Sequence, residues 1–148
     1  MEASSTARVL VVAHKTAATP ALLDAVRERA ERGPAKFHLL VPAPAPRLHA
    51  VRSGPPGVTE GDEVLALALP LLAGAAGVFV DGSVSRRHDP MDAVEEALHD
   101  GEYDEIILST LPRAVSRWLH IDLPARVAHL GLPVTTVIAE ERRSVTSR

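Results

Sequence analysis

The chain contains no cysteine. That absence excludes thiol nucleophiles, disulfides and cysteine-ligated zinc, and it fits a reducing compartment without proving one. Lysine is nearly absent too, with two against fourteen arginines. The ratio would suit bidentate phosphate or carboxylate recognition, but beside abundant Ala, Val and Pro it is read as the coding bias of a GC-rich genome. An excess of positive charge is missing, since the formal net charge is -3. No electrostatic pull toward DNA or anionic membranes is therefore expected, and a nucleic-acid partner is not. Long apolar runs are lacking as well. The most apolar stretch, Val64 to Val80, is broken by Pro70, Gly74 and Gly77 and falls short of the roughly 20 residues of a membrane span. The opening Met1-Glu2-Ala3-Ser4-Ser5-Thr6 has no basic flank ahead of an apolar core, so no secretory signal is read and a cytoplasmic location is expected.

What is present is the makings of one globular domain. The 148 residues are 46% hydrophobic and 24% charged, enough to bury roughly 68–70% of the unfolded surface without a metal or disulfide staple. Arg8-Val9-Leu10-Val11-Val12-Ala13 is a short apolar run of the kind buried on both faces of a sheet. Pro20 to Arg32 follows with Leu22, Leu23, Val26 and Ala30 on one helical stripe, closed by Gly33-Pro34. Phe37 to Val41 is a second strand, stopped by Pro42. From Pro42 to Val58 five prolines and two glycines leave no periodicity, so a long loop is expected, either a lid or a mobile segment.

Thr59-Glu60-Gly61-Asp62 fits a capping box ahead of a helix over Val64 to Ala73, kinked or interrupted at Pro70. Gly77 to Val80 is read as a third strand. Asp89-Pro90 opens a third helix carrying Met91, Val94 and Leu98 on one face and ending near Gly101. Asp104 to Ser109 and Pro133 to Ile138 are the fourth and fifth strands. Between them lies an irregular segment with Pro112, Arg113, Arg117, Trp118 and His120, then a helix from Asp122 to Gly131. Strand and helix in alternation imply a parallel five-stranded sheet with helices on both faces, in strand order 3-2-1-4-5, because crossovers are right-handed. The expected organisation is a disordered 1–6, an α/β domain over 7–139 and a polar tail over 140–148.

The opening Arg8 to Ala13 and the closing Asp104 to Ser109 with Ala128 to Val134 resemble the corresponding parts of universal stress proteins, over roughly residues 7 to 139. Membership would imply a Rossmann-like fold, a homodimer, and an ATP site in a protein that is not a conventional enzyme; the dimer is expected to form through strand five, whose edge would otherwise present unpaired N–H and C=O groups. The family's phosphate loop, G-x2-G-x9-G-[ST], laid over this chain from the end of strand four, falls on Ser109, Pro112, Asp122 and Leu123. None of these fits the pattern. Pro112 has no N–H to offer a phosphate, and an N-capping Asp122 would put a carboxylate where the phosphate belongs. Where the family commonly has an aspartate after strand one, this chain has His14. ATP binding is therefore expected to be impaired, with a weak adenine nucleotide left open and no other cofactor.

In open parallel sheets ligands sit outside the strand carboxyl ends where the strand order reverses, here between strands one and four. The candidate crevice residues are Ala13, His14, Lys15, Thr16, Val41, Ser109, Thr110, Arg113, Ser116 and Arg117. Lys15, Arg113 and Arg117 could meet an anion with side-chain donors, or simply be solvated. Trp118 could stack on a base, but beside Leu119 and Ile121 it is better read as a packing anchor. His14 near Ser109 and Thr110 lacks a third, orienting group for nucleophilic catalysis, and no spacing of ligands points to a metal. The functional expectation is a non-catalytic, dimeric module that binds a partner or a small anion. The alternatives are a nucleotide-binding member that uses side chains in place of glycines, and a hydrolase or transferase working at the same crevice.

Overall fold

The computed structural model describes residues 6–43, 59–112 and 116–139. Five parallel strands, β1 (Ala7–Val12), β2 (Ala35–Val41), β3 (Val80–Val84), β4 (Glu105–Thr110) and β5 (Val134–Ile138), form one sheet in the order β3-β2-β1-β4-β5. This is the expected topology. The helices are α1 (Pro20–Glu31), α2 (Glu60–Ala76), α3 (Pro90–Asp100), α4 (Arg117–His120) and α5 (Leu123–Ala128).

Alternation along the strands divides the core in two. Val9 and Val11 of β1 with Phe37, Leu39 and Val41 of β2 face α1 and α2, where Leu22, Val26, Ala68 and Leu72 close the layer. Leu10, Val12, Leu40, Ile106 and Leu108 point the other way, onto Met91 and Val94 of α3 and Leu123 and Val127 of α5. Each fully buried aliphatic side chain contributes roughly 1.5–3 kcal/mol, so the two-sided burial of β1 and β4 accounts for their continuous apolar sequence. Arg29 Nη2 adds a largely shielded ion pair to Glu105 Oε2 at 3.0 Å, tying α1 to the start of β4.

Local signals act as expected at several ends. The Thr59 hydroxyl accepts from the Asp62 N–H while the Asp62 carboxylate accepts from the Thr59 N–H, completing the capping box of α2. Asp89 accepts from the Met91 N–H at 2.8 Å and caps α3. Three expectations need correction. First, α2 runs unbroken through Pro70. Pro70 is exposed, where water can meet the carbonyl left without its helical donor. Second, the strand expected at Gly77 to Val80 lies at Val80–Val84. Gly77 is the left-handed C-cap of α2, at φ 75°, and Phe79 is 83% exposed, so the apolar residues there lead into the strand and do not form it. Third, Asp122 does not cap the last helix: it is itself left-handed at φ 58° and makes no side-chain cap bond. The expected long loop and both chain ends fall almost wholly on 1–5, 44–58 and 140–148, outside the described residues.

Candidate functional site

The strand order reverses between β1 and β4, so the expected crevice falls where those strands end. Ala13 is fully buried and donates its N–H to the Leu40 carbonyl at 3.2 Å, prolonging the β1–β2 ladder by one residue. The chain then turns: the Ala17 N–H donates to the His14 carbonyl and the Thr19 N–H to the Thr16 carbonyl. That turn brings Thr16 Oγ1 to 2.6 Å from Ser109 Oγ, both hydroxyls buried. Val41 and Thr110 are buried as well, and the Thr110 hydroxyl donates to the Leu111 carbonyl.

Ser116 is buried and its hydroxyl accepts from the Leu119 N–H, capping the one-turn helix α4. Trp118 packs against the α3–α5 core layer, the anchoring role read for it from its neighbours. Arg117 and Lys15 are exposed; Arg113 lies outside the described residues. Among the described residues Arg117 forms no ion pair with Asp122. The candidate residues thus divide into a closed floor of Ala13, Thr16, Val41, Ser109 and Thr110, a mostly buried His14, and the exposed Lys15 and Arg117.

Among the described residues, His14 carries the one buried side-chain polar atom of the crevice without a partner. Its side chain is 12% exposed, and Nε2 lies 3.9 Å from Oε2 of Glu60, the first residue of α2. That distance is too long for a hydrogen bond, and among the described residues Nε2 is buried without a partner. Burial lowers the imidazole pKa below its ordinary 6.5; Glu60 opposes the shift and Lys15 adds to it. The ring is therefore neutral at pH 7, with its proton on either nitrogen. Glu60 was legible only as part of a capping box. Its approach to His14 depends on how α2 meets the β1 turn, and no local signal in the sequence announces it.

The positions on which the glycine pattern falls are all structurally committed. Ser109 is bonded to Thr16, Pro112 follows β4 by two residues, Asp122 is left-handed and Leu123 is fully buried in the core. Among the described residues no three His, Asp or Glu side chains gather to hold a metal, and no helix is long and apolar enough to cross a membrane.

The backbone as a whole matches a universal stress protein from Archaeoglobus fulgidus with a TM-score of 0.61 over 88% of this chain and 93% of that one, at 14% identity. The fold is that of the universal stress proteins. A structure of the Archaeoglobus fulgidus universal stress protein in complex with dAMP aligns at a TM-score of 0.57 and 16% identity, covering 90% of this chain and 98% of that one. A universal stress protein in complex with cAMP aligns at 0.53, also at 16% identity, over 94% and 100%. No family model matches the chain, and no curated protein matches it. The universal stress protein fold is thus retained at a sequence identity too low to carry side-chain roles across, and the crevice must be read from its own residues.

Proposed function

We propose that the protein is a universal-stress-protein-like binding module of the cytoplasm, dimeric through β5, that takes a small anionic ligand at the β1–β4 crevice and has a weakened hold on ATP. The observation that carries this reading is His14, a neutral, mostly buried imidazole whose Nε2 lacks a partner at the point where open parallel sheets bind ligands. A buried polar atom left unpaired costs about 1–3 kcal/mol, and a ligand that bonds to it removes that cost. Exposed Lys15, the next residue in the chain, supplies positive charge beside it, and Arg117 is exposed at the start of α4. The nucleotide complexes of the same fold support an adenine nucleotide as the class to try first. A binding role is supported by the serine hydroxyls, which bond to Thr16 and to the Leu119 N–H and not to His14 Nε2.

Calorimetric titration with AMP, cAMP, ATP and coenzyme A, against wild type and His14→Ala, tests the proposal. A ligand at 100 times its dissociation constant stabilises by about 2.7 kcal/mol. Millimolar ATP is expected to do far less, while at least one smaller anion binds wild type and is lost from His14→Ala. Micromolar ATP affinity would overturn the weakened hold on triphosphate, and no heat with any of the four would remove the ligand class.

A further inference from the structure

The α3 face of the sheet is left open over β2 and β3, and a cavity of about 650 Å³ lies there, lined among others by Arg8, His38, Leu40, Ser83, Arg86 and Tyr103. His38 and Ser83 of that lining meet Asp81, a third side chain from the same two strands. β2 and β3 are paired so that His38 stands level with Asp81, and Ser83 follows on the same face two residues along. His38 Nδ1 is 2.9 Å from Asp81 Oδ1, and His38 Nε2 is 2.8 Å from Ser83 Oγ. Gly82, between them, turns to the other face. A Cβ there would sit 2.8 Å from Leu65 Cδ2 of α2 and 2.9 Å from the Leu39 carbonyl oxygen. The missing side chain lets β3 lie close to α2, which fixes the register of the two residues on either side.

With His38 neutral and Asp81 ionised, the hydrogen bonds fit a single protonation pattern. An ionised carboxylate only accepts, so Nδ1 carries the proton toward Asp81. In the neutral ring Nε2 is then an acceptor, and the Ser83 hydroxyl must donate to it. Nucleophile, base and orienting carboxylate therefore stand in the relation that activates a serine.

We propose that Ser83, His38 and Asp81 form a reactive set that cleaves small carboxylic esters. Ser83 Oγ attacks the acyl carbon as its proton passes to His38 Nε2, and the oxyanion formed has Arg8 and Arg86 as the cationic donors in the cavity. The C–O bond to the alcohol breaks, and the alcohol leaves with the proton from Nε2. Water then attacks the acyl-Ser83 ester, giving its proton to the same nitrogen, and the acid departs as Ser83 is reprotonated. Asp81 acts as a positioning residue that holds the tautomer. The apolar floor of Leu40, Ala93 and Ala97 suits a compact acyl group, while Glu96 and Asp100 in the lining offset the arginines and disfavour a charged one. This site lies away from the β1–β4 crevice, so it stands or falls independently of the ligand proposed there.

The test uses the full chain with p-nitrophenyl acetate and, separately, a fluorophosphonate probe mapped by peptide mass. Wild type is expected to turn over the ester and to carry the probe on Ser83. Ser83→Ala should lose the adduct and at least about 100-fold in kcat/KM, because without the nucleophile the gain from His38 as general base, of that scale, is lost as well, with its melting midpoint unchanged because Ser83 is exposed. Asp81→Asn should lower kcat and leave KM in place. Equal turnover by wild type and Ser83→Ala, an adduct on any other serine, no adduct, or wild-type kcat in Asp81→Asn would each overturn the proposal.

Discussion

Thr16 Oγ1 and Ser109 Oγ meet at 2.6 Å in a buried hydrogen bond that spans 93 positions of sequence. One hydroxyl comes from the turn that leaves β1 and the other from β4, so the bond pins together the two strands between which the sheet changes direction. It also closes the crevice floor with the protein's own atoms and leaves a ligand to approach from His14 and Lys15. Ser109→Ala strands the Thr16 hydroxyl and should destabilise by about 1–3 kcal/mol. The pair Thr16→Val and Ser109→Ala should cost clearly less than the two single changes added together, with a coupling of roughly 0.5–3 kcal/mol. Additive denaturant midpoints in that cycle would show the contact to be energetically idle.

His14 should make stability depend on pH in the mildly acidic range. Burial, assisted by Lys15 and opposed by Glu60, lowers its folded-state pKa below 6.5. Between that lowered value and 6.5 the unfolded chain binds more protons than the folded one, so stability rises with pH across this window. As pH falls through the window the folded state is penalised, and below the folded pKa the loss levels off. Comparing melting midpoints of wild type and His14→Gln should show the variant flatter just below pH 6.5. Parallel profiles would mean that His14 is not desolvated.

The parts of the fold legible in the sequence are those where a local rule and the tertiary environment agree. Asp89, Pro90, Met91 and Val94 each sit where cap, first turn and apolar stripe place them, and the runs of β1 and β4 are continuous because both their faces are covered. β3 was misplaced because it is an edge strand with an open face. Its sequence Val80-Asp81-Gly82-Ser83-Val84 alternates polar with small or apolar residues, and the preceding Val78 and Phe79 mimic a strand although they are exposed. α4 has only four residues and therefore no periodicity to detect. In the crevice, the residue types and their strand ends were readable, but not their partners. Glu60 beside His14 and Ser109 beside Thr16 are products of topology, separated in sequence by far more than any motif spans.

The dimer proposed through β5 follows from its edge position. Among the described residues only one side of β5 is paired, with β4, and Thr135, Thr136 and Ile138 are exposed, Ile138 by 44%. An edge with free N–H and C=O groups and an exposed branched side chain is a template for a second copy. Light scattering should give twice the chain mass of 15.7 kDa, falling toward the monomer in Ile138→Lys. A concentration-independent 15.7 kDa species in the wild type would remove the dimer.

Asp122 offers the sharpest separation of stability from ligand exclusion. It is the only non-glycine among the described residues with positive φ, at 58°, and its carboxylate caps nothing. A left-handed conformation costs an L-residue roughly 1–2 kcal/mol, less for Asp and Asn than for Ala. Asp122→Gly should therefore melt higher than wild type, whereas loss of a working cap would make it melt slightly lower. Asp122→Ala should be destabilised by about 1 kcal/mol relative to wild type. Asp122→Asn keeps the tolerance of this conformation and removes only the charge, so its stability should stay within about 0.5 kcal/mol of wild type, as for a surface change. If the carboxylate repels phosphate from the start of α5, the same variant should bind ATP about two- to fivefold more tightly, the equivalent of 0.3–1 kcal/mol for a charge at a helix start. An unchanged ATP affinity would leave Pro112, which has no N–H to give, and the absent loop glycines as the sufficient cause of weak triphosphate binding.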